Sequence, residues 1–536
     1  MNKKSIYSIV FCLALFTSSP AIANFINANS LNYTSFLSLL TAGDTLNLAS
    51  GTYVNNLTLN GRNGTLAQPI VIMGNGNSTN FQGQACCNTV SITQCSYVII
   101  RNMQLDGLNQ FVDAVKAEGT IGNWAHHITI EYLDIINYGF NQQSVGISTK
   151  CSAWDWVIRK NRIIGAGTGM YLGNSTGEAP FVNGLIEYNY VANTIGYNIE
   201  IKHQLDTVRD NFAGTSVNGK TIIRHNVFTK DSTSSTGGNA RPNLLVGGFP
   251  LTGFGSIDYY EIYGNFFYNN PVEALFQGTG NIMLYENIFV NHFDPSGFRA
   301  VYISPQNGVS PQDIKVFHNT AWVLNSSGGI RLYNPDNAYQ QYCYGNAVFA
   351  PSPITNFTNI LDNITDNYSS AGNYVLSATT NIATLNLYPQ AGQVKGTLTP
   401  NSLFLTNSDF EKDFNGDVYD WTYRGAYSGC CTNNGWQLQL DTMTTQSTTT
   451  SLVSFLIGNN FTIYPNPFTY QTTIAFSEEQ KNTTITITDM LEKIIKTFTF
   501  TGRQLIIEKG EMKAGIYFLL TIDQKKNIFK RKIVIQ

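Results

Sequence analysis

Charge is scarce in this 536-residue chain: Lys, Arg, Asp and Glu make up 12% of it, and the formal net charge is −3. From Asn24 to Gly458 there are 19 basic and 28 acidic residues, against 11 and 7 from Asn459 to Gln536, so a cationic excess exists only at the C-terminal end. The body therefore lacks the basic stripe that nucleic acid requires. Beyond the first residues no apolar run is long enough for a transmembrane helix. The eight cysteines show no zinc-ligand spacing. Serine- and cysteine-hydrolase motifs and phosphate-binding glycine loops are missing.

The N-terminus reads as a secretory signal, residues 1–23. Lys3 and Lys4 form a basic region, Ile9 to Phe16 an apolar core, and Ala21-Ile22-Ala23 a small-x-small cleavage pattern. Cys12 lies inside the apolar core without the small residues of a lipidation site before it. The expected mature chain begins at Asn24 and is secreted or held at the cell surface. Export permits disulfides. Cys86-Cys87 and Cys430-Cys431 are adjacent pairs, while Cys95, Cys151 and Cys343 are single. Bridges and buried thiols both remain open.

What is abundant is a repeat. Short apolar runs end in asparagine at Asn102, Asn161, Asn189, Asn226, Asn265, Asn287, Asn319 and Asn346, as in Ile222-Ile223-Arg224-His225-Asn226. A second apolar stretch, such as Val227-Phe228, follows each one. A repeat of this length, made of strands and without helical periodicity, predicts a β-solenoid whose turn asparagines stack as a hydrogen-bonded ladder. The expected fold is all-β: a right-handed parallel β-helix over residues 24–440, then a polar linker over 441–458 and a small β-sandwich over 459–536. A cap with a short helix near Ser35 to Leu40 precedes the first rung, rungs continue to about Phe349, and the less regular stretch Asn356 to Ser402 is expected to hold the last, degenerate rungs. Arg424 to Tyr427 is expected as a closing strand. Leu205 to Lys220 and Thr229 to Ser256 read as long insertions of the kind that line a binding face.

The C-terminal segment carries Tyr464-Pro465-Asn466-Pro467-Phe468, Ala514-Gly515-Ile516-Tyr517-Phe518 and Lys532-Ile533-Val534-Ile535. In this order they resemble the C-terminal sorting domain of the type IX secretion system. The resemblance implies the type IX machinery as a partner, passage across an outer membrane, and removal of the domain on export.

A β-helix is not a function by itself. The densest set of polar candidates lies between Tyr197 and Gly248. In Asn198-Ile199-Glu200-Ile201-Lys202-His203, strand alternation turns Ile199 and Ile201 inward and Glu200 and Lys202 outward. Arg224 and His225 are expected one rung away, and the long loop is expected to bring Arg241 close. Such a cluster on a mildly acidic body suits an acidic, uronate-containing polysaccharide. It also suits β-elimination, in which a base removes the proton α to a carboxylate while cations stabilise the enolate-like charge.

The opening rung, Gly43-Asp44-Thr45 through Gly51-Thr52-Tyr53 to Pro69-Ile70-Val71-Ile72, and Lys202 at its strand end resemble the chondroitinase B and alginate lyase family of polysaccharide lyases. The resemblance implies Lys202 as catalytic base and Arg241 as acid or charge stabiliser. His203, Arg224, His225, Glu273 and Gln277 would support substrate. Some members use calcium held by an asparagine and two glutamates, for which Asn198, Glu200 and Glu273 are the candidates here. His203 after the lysine, and Pro242 after Arg241, depart from the family pattern.

Polygalacturonase-type hydrolysis needs paired carboxylates, and the motifs that carry them are absent. The rival reading is a non-catalytic glycan-binding surface protein or adhesin, with Trp124, Trp154 or Trp156 stacking on sugar rings.

Overall fold

The computed structural model describes residues 23–119, 122–210, 212–215, 219–295, 297–397, 403–444, 461–488, 494–522 and 528–536. The signal segment up to residue 22 and most of the linker lie outside these. The chain divides into two compact units, residues 1–445 and 446–536.

The first unit is a parallel β-helix. In one representative turn the chain runs through Thr168–Leu172, Phe181–Val182, Leu185–Glu187 and Tyr190–Ala192, then returns at Ile199–Ile201. Each strand pairs in parallel with its counterpart in the next turn: Leu185 with Ile222, Tyr190 with Val227, Ile199 with Leu244. The inward positions form columns. Ile186, Ile223, Ile262, Leu284, Val316 and Cys343 stand in register and are fully buried. Phe228, Phe267 and Phe289 stack behind the next corner, with ring centroids 5.0 and 4.7 Å apart. Each such side chain contributes roughly 1.5–3 kcal/mol on leaving water.

The corner between these columns is the asparagine ladder. Asn161, Asn189, Asn226, Asn265, Asn287, Asn319, Asn346 and Asn363 each lie one turn apart, and each amide donates to the next Oδ1 at 2.9–3.0 Å. The residue before each takes a left-handed conformation: Lys160, Tyr188, His225, Glu286, His318 and Asp362 have φ of 50–54°, and glycine fills the place at Gly264 and Gly345. Asn102 lies outside the ladder and donates to the Gly74 carbonyl.

Two expectations are corrected. The stretch Thr229 to Ser256 is not a single insertion, because Leu244–Val246 inside it is a rung strand paired with Ile199–Ile201 and Phe276–Gly278. Arg424 to Tyr427 is not a strand. It belongs to an irregular covering segment, in which the Gly425 N–H reaches the Gly345 carbonyl and the Ala426 N–H reaches Thr320 Oγ1. The last rungs, Asn359–Leu361 and Ile364–Asp366, lie in the less regular stretch expected to hold them.

The covering segment decides which faces stay open. Val375, Leu387, Phe414, Trp436 and Leu438 pack over outward residues such as Val227, Phe266, Ile288 and Trp322. Phe404 packs on Tyr263, Tyr285 and Phe317 of the neighbouring face. Neither cluster includes an outward residue of the eleven-stranded sheet that contains Ile199–Ile201.

Cys86–Cys87 and Cys430–Cys431 are disulfides between neighbours, and Cys95, Cys151 and Cys343 are buried thiols. The second unit is antiparallel. Phe461–Tyr464, Gln471–Thr488, Ile494–Glu508, Gly515–Ile522 and Ile528–Ile535 form one five-stranded sheet around Ile474, Ile485, Ile487, Leu519 and Ile533. Among the described residues no helix is long and apolar enough to cross a membrane.

Candidate functional site

The open face of the eleven-stranded sheet carries an outward row in register: Lys116, Ser148, Tyr171, Glu200, Leu245, Gln277, Tyr302 and Arg331. With a side-chain period of two, the residues two further on share that face. They are Glu118, Lys150, Gly173, Lys202 and Gly247. A cavity of about 460 Å³ opens over these rows, and its walls include Lys116, Lys150, Tyr171, Tyr197, Lys202 and Arg241. Asp113 and Glu200 are its carboxylates. Four cations thus face two anions in one depression.

Lys202 Nζ lies 2.8 Å from Glu200 Oε1, and Lys116 Nζ lies 3.6 Å from Asp113 Oδ2. Lys150 differs. Its ammonium lies 3.2 Å from the centre of the Tyr171 ring and has no ion pair or hydrogen bond among the described residues. Burial pushes it down to about 8, with Lys116 and Lys202 adding to the fall and Asp113 and Glu200 opposing it. Burial raises both the Tyr171 and Tyr197 phenols above their ordinary value. The Gln142 amide nitrogen, in the cavity wall, is a buried donor with no partner.

Arg241 reaches this cavity from a loop, its guanidinium 5.7 Å from the centre of the Tyr197 ring. The loop is held from behind. Lys230, 1% exposed, donates to the Arg241 carbonyl at 2.8 Å and to Ser235 Oγ at 3.0 Å. Asn270 Nδ2 donates to the same Arg241 carbonyl. Glu273 lies on the next turn beyond. Burial pushes its carboxyl up to about 7 against the opposing pull of Lys230 and Arg241. Gln277 donates weakly to Glu273 Oε1 at 3.4 Å.

Lys202, Glu200 and Arg241 therefore share one cavity, with Glu273 and Gln277 on the adjoining turn. Four residues expected there have other roles. Arg224 and His225 lie at the asparagine corner of a different sheet. Arg224 donates to Glu187 and Tyr263 OH and pairs with Asp409, all at 2.9–3.2 Å, so its guanidinium is committed to the covering segment. His225 occupies the left-handed turn position and stacks on Tyr188. Burial holds its imidazole down at about 4. His203 follows Lys202 but turns toward Gly177, and its Nδ1 is buried without a partner. Asn198 is fully buried and donates to the Val191 carbonyl and Thr194 Oγ1.

The Asn198 amide nitrogen is spent on the turn and Glu200 is paired with Lys202, whereas Asn198 Oδ1 and one Glu273 carboxylate oxygen are buried without a partner. Among the described residues no group of three or more His, Cys, Asp and Glu side chains is arranged to hold a metal.

Trp124 and Trp154 line a second depression together with Tyr97, His126, His127 and Phe212. Trp156 is fully buried and donates to the Ala125 carbonyl. His126 stacks between Trp124 and Trp154, at 5.1 and 4.4 Å, and Phe212 covers Trp154 further.

Sequence reasoning missed Lys116, Lys150, Tyr171 and Tyr197. A signal existed: Thr149-Lys150 precedes a corner as Ile201-Lys202 does. Recognising it requires aligning the rungs by strand rather than by asparagine.

Residues 462–536 match the family model described as the secretion system C-terminal sorting domain. The second unit is thus a sorting domain, and the chain is an exported protein, as the tail motifs implied. No curated protein matches the chain. Among solved structures, a polysaccharide lyase family 6 alginate lyase aligns with TM-score 0.45 and 13% identity, over 81% of this chain and 60% of that one. The chain thus spans less than two thirds of that lyase's length. A mannuronic acid specific family 6 lyase from human gut microbiota aligns with TM-score 0.36 and 13% identity, over 64% and 87%. A pectate lyase aligns with TM-score 0.34 and 13% identity, over 67% and 84%.

Proposed function

We propose that the body binds an acidic, uronate-containing polysaccharide on the open face of the eleven-stranded sheet and cleaves it by β-elimination. The observation that carries this reading is the convergence of Lys116, Lys150, Lys202 and Arg241 on one cavity of the uncovered face. A uronate polymer supplies one carboxylate per acidic ring, and a cation row matches such a charge pattern. Elimination needs three things of the site. A cation must neutralise the carboxylate as the α-proton leaves, and Arg241 presents a planar fork suited to it. An amine must take the proton, and a donor must protonate the leaving oxygen. The lysines and the two tyrosines supply those groups.

The test is ultraviolet absorbance of the full-length chain incubated with alginate, chondroitin sulfate, dermatan sulfate and pectate, with and without calcium. Elimination leaves an unsaturated, absorbing uronate. A rise on one polymer that disappears in Arg241→Ala supports the reading. Binding of a polymer with no rise would return the protein to the non-catalytic glycan binders.

A further inference from the structure

The two lysines at the centre of the cavity occupy equivalent places and unlike environments. Lys150 and Lys202 each stand two residues past the outward row, on strands separated by one. The strand between them has Gly173 at the corresponding place, and a Cβ there would come within 3.2 Å of the Lys202 Cβ. A side chain there would crowd the Lys202 stem, which glycine avoids. Lys202 is bound to a carboxylate, whereas Lys150 rests on an aromatic face, with Asp113 and Glu200 nearby but, among the described residues, no acid within ion-pair distance.

Resting on the polysaccharide reading above, the geometry points to a two-lysine acid–base pair, in which Lys150 takes the proton from the uronate and Lys202 returns one to the leaving oxygen. The uncharged Lys150 Nζ abstracts the C5 proton. The C–H electron pair becomes the C4=C5 double bond as the C4–O4 bond breaks, and the bond's electrons leave on O4. The Lys202 ammonium protonates O4. One amine gains a proton and the other loses one, and exchange with water restores both. The groups facing Lys150 are Asp113 and Lys116 from one side, Glu200 and Lys202 from the other, and Tyr171 beneath. With the balance of these and burial holding Lys150 down at about 8, a usable fraction is uncharged near neutral pH.

Lys150→Arg in the full-length chain tests this. Arginine keeps the cation and the ring contact but does not deprotonate. The expected result is a loss of turnover of about a hundredfold or more, with polymer binding retained. Wild-type turnover should rise with pH through about 8. Independently of any substrate, acetylation followed by mass spectrometry should show Lys150 reacting at lower pH than Lys116. Lys150 reacting no earlier than Lys116 overturns the proposal. So does Lys150→Arg with undiminished turnover, which leaves the polysaccharide reading standing. Loss of binding together with turnover would make Lys150 a substrate clamp and also overturn it. A wild type that neither binds nor cleaves any uronate polymer removes the polysaccharide reading and the acid–base pair with it.

Discussion

The buried amino group of Lys230 donates to the main-chain carbonyl of Arg241 at 2.8 Å. Arg241, which lines the cavity, is thereby seated by a lysine that does not itself line it. Burial drives Lys230 well below the ordinary lysine range, and its hydrogen bonds to Ser235 Oγ and the Arg241 carbonyl hold the loop. Lys230→Met should leave the rungs folded while releasing the loop. It is expected to weaken cleavage in parallel with Arg241→Ala, and to cost about 1 kcal/mol through the lost hydrogen bonds, since Asn270 Nδ2 still donates to the Arg241 carbonyl. Kinetics with a uronate polymer and denaturant melts, measured side by side, check both parts.

Asn226 tests the ladder. Its amide donates to the Ile186 carbonyl and to Asn265 Oδ1, and its Oδ1 accepts from both the backbone and side chain of Asn189. Asn226→Ala removes all of these and strands buried groups on two neighbouring turns. A loss of about 3 kcal/mol is expected, seen as a shifted urea midpoint. Asn102→Ala, outside the ladder and with one carbonyl partner, should cost about 1 kcal/mol.

Glu273 makes stability depend on pH. Its carboxyl is raised from 4.5 to about 7 by burial, so the folded state holds the proton more tightly than the unfolded chain does. The resulting stabilisation is complete below about pH 4.5 and is lost as pH rises through about 7. The loss is up to about 3 kcal/mol. Glu273→Gln should flatten this part of the profile. Denaturation midpoints at intervals across that window, for wild type and variant, provide the comparison.

Binding in the cavity should be salt-sensitive. The polymer contacts are charge contacts on an open face, so affinity is expected to fall steadily as ionic strength rises. Lys116→Gln should lower the affinity and also flatten its salt dependence. Titration calorimetry at several salt concentrations measures both. A polymer held by neutral contacts alone would show no such dependence.

Much of the architecture is legible before any coordinates. The left-handed residue, the asparagine and the flanking apolar runs are contiguous in the chain, so each turn announces itself locally. The tail motifs are likewise contiguous, and the sorting domain follows from them. Alternation alone was enough to turn Glu200 and Lys202 outward, and the two do meet on the open face.

The cleft itself was decided by tertiary structure. Lys150 becomes a neighbour of Lys202 only through the winding of two turns, and loop lengths between asparagines vary too much for spacing to reveal it. Arg224 and His225 look equivalent to Lys202 in composition. Yet Arg224 is drawn to Asp409, 185 residues away, because the covering segment folds back over that face. Local pattern determines which residues point outward. Which outward face stays open to solvent depends on where a distant segment comes to rest, and burial by that segment turns one cationic residue into a structural tie while leaving another on the open face.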